Sequence, residues 1–145
     1  MKSVAHAKFA QNLPIEDRER EAVVITAAVS SSAARGLTTA SAQLFFEAQI
    51  EAAKAIQNYW FKRWKDEPPS NLPPNLVTDL RPKLLVLGNQ ITERLDTPVT
   101  DQHRAEFMDA TDIEGLDPDQ RSDLSLDLRD LNTRPLLDRI QLSLS

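Results

Sequence analysis

Cysteine is absent from the chain, which excludes disulfide staples, thiolate zinc sites and cysteine nucleophiles. Histidine occurs only as His6 and His103, and neither has the spacing of a metal centre or of a catalytic triad. Positive charge is in deficit: 17 basic against 22 acidic residues leave a net charge of −5. A nucleic-acid partner, which requires a net basic face, is therefore not expected. No apolar run approaches the ~20 residues of a membrane span, and the opening MKSVAHAKFAQNLP is too polar for a signal peptide. Glycine is limited to 3 residues, β-branched residues are scattered, and no apolar/polar alternation lasts long enough for a strand. These absences leave an all-α protein.

What is present fits one helical domain. At 145 residues, 41% of them hydrophobic, the chain can bury a core of its own. Periodicity and punctuation predict a short helix over residues 3–12, stopped before Pro14. A second opens on Asp17 as N-cap and closes at Gly36. A third runs from Thr38, its expected N-cap, to the prolines at 68 and 69. About 40 Å long, it forms a central spine, and its buried seam is Phe46, Ile50, Ala53, Gln57, Trp60 and Trp64. Residues 1–66 thus form one helical half and 76–145 a second, joined by the stiff connector EPPSNLPPN over 67–75. The second half is expected to bury Leu80, Leu84, Leu87, Ile91 and Leu95 on a fourth helix, with Pro82 tolerable near its first turn. A fifth helix begins at Thr100 or Asp101 and includes Phe107 and Met108. A sixth begins at Asp117-Pro118-Asp119-Gln120 and buries Leu124, Leu128 and Leu131. The acidic stretch DIEGLDPDQRSDLSLDLRD lacks the EF-hand spacing and reads as a solvated face, with no metal site.

The residues left to carry chemistry are Lys8, the acidic and basic run Glu16 to Glu21, and Gln57. On composition alone they read as a capped helix start facing water and a register-fixing amide in a packed seam. Their separations add a second reading. The lysine of VAHAKFAQN, the turn PIEDRER whose last arginine falls twelve residues later, and the glutamine of IEAAKAIQNYW resemble the all-helical, AroQ-type chorismate mutases. The likeness is strongest to their exported, single-chain gamma subclass. It covers residues 4–64 best, and LRPKLLVLGNQITERL is similar to the subclass's next long helix.

The resemblance implies a pericyclic rearrangement of chorismate to prephenate without nucleophile, metal or cofactor. It assigns Lys8 and Gln57 to the ether oxygen, Arg20 to a substrate carboxylate, and Asp17 and Glu21 to the neighbourhood of the substrate hydroxyl. It also implies a homodimer, no nucleic acid or membrane partner, and a periplasmic or secreted setting. Two substrate-facing positions depart from the pattern: Ala53 stands where a hydroxyl residue is usual, and Gln90 where an arginine is usual. A further first-helix arginine falls upstream of Met1. Three accounts of the missing cations stay open: a shortened chain, another arginine such as Arg81 or Arg94 reaching the pocket, or a degenerate pocket. The last is the alternative function, a non-catalytic helical binding protein on the mutase scaffold.

Overall fold

The structure, a computed structural model, describes residues 1–94 and 100–124, and all regular structure among them is helical. The helices are α1 (Lys2–Ala10), α2 (Arg18–Ala33), α3 (Thr39–Asp66), α4 (Arg81–Arg94) and α5 (Asp101–Ala110). A wide π-helical turn, Leu76–Leu80, leads directly into α4, and residues 118–124 are again helical. The fold class is the all-α one predicted.

Several boundaries follow the local chemistry predicted from sequence. Asp17 caps α2, its Oδ1 accepting from the Arg20 N–H at 3.1 Å. At the other end Gly36, with φ of +80°, takes the left-handed position of a Schellman closure. The Leu37 N–H reaches the Ser32 carbonyl at 3.1 Å, and the Gly36 N–H reaches that of Ala33 at 3.0 Å. The start at 117 is a reciprocal box: Asp117 Oδ1 accepts from the Gln120 N–H at 2.8 Å, and Gln120 Oε1 from the Asp117 N–H at 3.0 Å. Thr38 is a correction. It occupies the N-cap of α3, but its hydroxyl makes no capping bond and is buried without a partner.

α3 is the 28-residue spine, about 42 Å long at 1.5 Å per residue. Phe46, Gln57, Trp60 and Trp64 are buried as the seam requires, and Phe45, Ala52 and Ile56 are buried beside them, because α3 is packed from more than one side. Leu37, Ala42, Phe45 and Phe46 close on Ala28 and Val29 of α2. Ala5 and Phe9 of α1 close on Ile56, Trp60, Phe61 and Trp64. A third cluster joins Val4 and Ala7 of α1 to Leu76, Leu80 and Leu84, so that the π turn is held against α1 by apolar contact.

α4 departs from expectation: Leu87 is 52% and Ile91 37% exposed, since this helix packs only through its neighbours α2 and the π turn. Leu124 is buried; Leu95, Leu128 and Leu131 lie outside the described residues. The turn before 118 crosses α3 closely. At Gly115, with φ of +97°, a Cβ would stand 2.9 Å from the Ile56 Cα and 3.1 Å from the Tyr59 Cβ.

Candidate active site

Lys8 lies in the last turn of α1, half-buried between the faces that meet α3 and the π turn. Its Nζ donates to the Ile15 carbonyl at 2.6 Å, so the chain leaving α1 folds back over it. Burial pushes the Lys8 pKa below the ordinary lysine value; the Asp17 and Glu21 carboxylates act against that shift, and the Arg81 guanidinium adds to it. Four charged groups, from α1, the start of α2 and the start of α4, therefore share one electrostatic neighbourhood.

The α2 terminus that carries the two carboxylates is braced twice. Glu21 Oε1 accepts from the Asp17 N–H at 3.1 Å, satisfying a donor that a helix start leaves open. Its other oxygen faces Lys54 Nζ of α3 at 3.4 Å. Lys54 also meets Glu51 Oε1 at 2.6 Å, and these two partners, Glu51 first, raise its pKa above the ordinary lysine value.

Gln57 is 5% exposed. Its Nε2 donates to the Ala53 carbonyl at 3.1 Å, while its Oε1 is buried without a partner. An orphaned buried acceptor costs about 1–3 kcal/mol. A half-turn of the terminal amide exchanges its two ends and puts the NH2 group where that oxygen lies.

The remaining candidates are placed less tightly. Ala53 is half-buried and serves Gln57 through its carbonyl. Arg20 is exposed, and its guanidinium makes no hydrogen bond or ion pair among the described residues. Gln90 stands exposed on α4, likewise without a hydrogen bond among them. Lys8, Arg20 and Gln57 line neither of two surface clefts. One cleft runs between α3 and residues 120–124 and includes Glu51, Lys54 and Asn58; the other joins Lys2 and His6 to Arg63 and Trp64. The reason is local: both inward donors, Lys8 and Gln57, are turned onto protein carbonyls.

The histidines have packing roles. His6 is buried with its ring 5.5 Å from Trp64, and His103 accepts from the Thr100 N–H in the cap of α5. Sequence reasoning passed over Lys54 entirely, since a lysine on a long helix is ordinarily solvated. The one available signal was Glu51 one turn earlier, which offered only a surface pair. Arg81 was named only as an alternative; its position beside the helix-disrupting Pro82 is the signal that the chain is re-aimed there.

Fold and site together define an all-helical protein whose polar cluster consists of cations, carboxylates and a buried amide. Among solved structures, the chain is similar to the secreted chorismate mutase from Yersinia pestis, at 31% identity and a TM-score of 0.76, over 88% of this chain and 86% of that one. It is also similar to the chorismate mutase from Burkholderia thailandensis, at 30% identity and a TM-score of 0.70, with 88% and 86% covered. Among curated proteins, it is 34% identical over 112 residues to a monofunctional chorismate mutase from Enterobacter agglomerans, covering 74% of this chain and 62% of that protein. It is 37% identical over 95 residues to the secreted chorismate mutase of Yersinia pestis, covering 66% and 51%. The matched stretch thus spans about half to three-fifths of the length of these curated relatives. No protein-family model matches the chain. The chain belongs to the chorismate mutase family, of the all-helical AroQ type.

Proposed function

We propose that this protein converts chorismate to prephenate, binding a dicarboxylate enol ether in its folded, reactive shape and stabilising the negative charge that grows on the ether oxygen as its C–O bond breaks. The observation that carries this reading is the half-buried Lys8 ammonium, with Asp17, Glu21 and Arg81 around it. The reaction is unimolecular and needs no proton transfer, so its catalysis rests on orientation and on donors already in place. An ammonium has three N–H donors; Ile15 takes one, leaving others for the ether oxygen and a carboxylate. Gln57 supplies a second donor to the same oxygen. Arg20 and Arg81 grip the carboxylates, for which a planar guanidinium is suited. In this assignment Arg81 takes over the clamp for which the family pattern at Gln90 offers no cation, and Asp17 and Glu21 receive the substrate hydroxyl.

The test is the loss of chorismate's near-ultraviolet absorbance with purified protein. Lys8→Ala and Gln57→Ala each lower kcat by about 10²–10³, the usual loss for one transition-state donor, with the helical circular dichroism retained. Arg81→Ala raises KM about tenfold or more, the loss of one charge-assisted contact. An inactive parent that still binds a bicyclic diacid would instead identify a binding protein.

The family resemblance further supports a homodimer and a periplasmic or secreted setting, a relative from Yersinia pestis being named as secreted. Val23, Val24, Leu85, Val86 and Leu87 on α2 and α4 are 38–59% exposed, which is apolar surface that a second copy would cover. Sedimentation of the purified chain at twice the monomer mass is the expected result.

A further inference from the structure

Glu21 connects two places that are otherwise separate. One of its oxygens holds the Asp17 N–H, in the turn whose Ile15 carbonyl and Asp17 carboxylate face Lys8. The other meets Lys54, on a different helix. The side chains of this pair are only 16% and 22% exposed, so solvent and salt screen it less than a surface pair. The contact of Lys54 with Glu51 is shorter, but Glu51 is 71% exposed and one turn away on the same helix. It leads nowhere near Lys8.

We infer that Lys54 is a positioning residue of the site: it holds Glu21 in place, thereby fixing the Asp17 turn opposite Lys8, and it offsets a carboxylate charge that a dianionic substrate would otherwise meet. The inference rests on the chorismate mutase reading. Around Lys8 the charges of Arg81 and Lys54 stand against those of Asp17 and Glu21. Taking away Lys54 leaves Glu21 uncompensated, which repels the substrate and favours the charged form of Lys8.

Three variants assayed beside the parent decide this. Lys54→Met raises KM for chorismate about tenfold, changes kcat by less than about threefold, and moves the alkaline limb of the kcat/KM profile to higher pH, because Glu21 then supports the Lys8 ammonium more strongly. A merely structural role would not raise that limb. Lys54→Arg keeps the cation and the parent's KM. Glu51→Gln removes the shorter contact and leaves KM unchanged. A parent that turns over chorismate while Lys54→Met keeps the same KM overturns the inference and spares the enzyme reading, and so does a Glu51→Gln variant as impaired as Lys54→Met. An inactive parent overturns the enzyme reading, and amide exchange then tests the geometry: the Asp17 N–H loses protection in Lys54→Met and keeps it in Lys54→Arg, and equal protection in both refutes the role given to Lys54.

Discussion

Replacing Gln57 by glutamate changes one atom of a buried group and converts a donor that works at every pH into one that must first be protonated. The site favours the neutral acid. The side chain is 95% shielded, given its 5% exposure, and the atom that now donates does so to the Ala53 carbonyl. A carboxylic acid can keep that bond by donating its proton, whereas a carboxylate would set oxygen against oxygen. Desolvation and the lost bond both raise the glutamate pKa, by roughly two units from its usual value of about 4.3. With a pKa of about 6.3, the fraction protonated falls about fifteen-fold between about pH 5.5 and about pH 7.5. The kcat of Gln57→Glu, followed by chorismate absorbance, is expected to fall in the same proportion, while the parent stays level over that interval. A variant as active at the upper pH as at the lower would mean that residue 57 donates nothing to the reacting oxygen, and the assignment of this side chain would be withdrawn.

Lys8 gives the opposite limb. Burial lowers its pKa and only the charged form is a full donor, so parent activity declines on the alkaline side below the pH where exposed lysines titrate. Lys8→Arg, which keeps its charge throughout that range, removes this limb at a reduced kcat. Gly115→Ala forces a side chain onto the Ile56 backbone at 2.9 Å and onto Tyr59 at 3.1 Å, at a φ of +97°. It should cost about 1–3 kcal/mol and lower the thermal midpoint by several degrees in a scanning calorimeter, while the activity of the folded fraction is kept.

How much of this was legible in the sequence depends on the range of the interaction. Caps are local, so Asp17, Gly36 and Asp117 could be read from a few residues and are found in those roles. The seam of α3 was legible because one helix face repeats every three or four residues. Burial of Leu87 and Ile91 was not, because periodicity says which face is apolar and nothing about whether a neighbour covers it. Thr38 had the right residue type for a cap, but a hydroxyl can cap only if its rotamer is free to reach the helix start. At the site, motif spacing singled out Lys8, Asp17, Glu21 and Gln57. The reach of Arg81 toward Lys8 and of Lys54 toward Glu21 depends on how α4 and α3 cross the first two helices, which spacing along the chain does not encode.

The turn over Leu76–Leu80 accommodates one residue more than an α-helical turn would, immediately ahead of the guanidinium whose charge is felt at Lys8. Losing a single codon there would let the coil close as ordinary helix, and everything downstream would swing by about 100° around its axis while Leu76 stayed anchored on α1. A lineage could thus move a substrate-gripping arginine into or out of register by an insertion or deletion, with no amino-acid replacement at all.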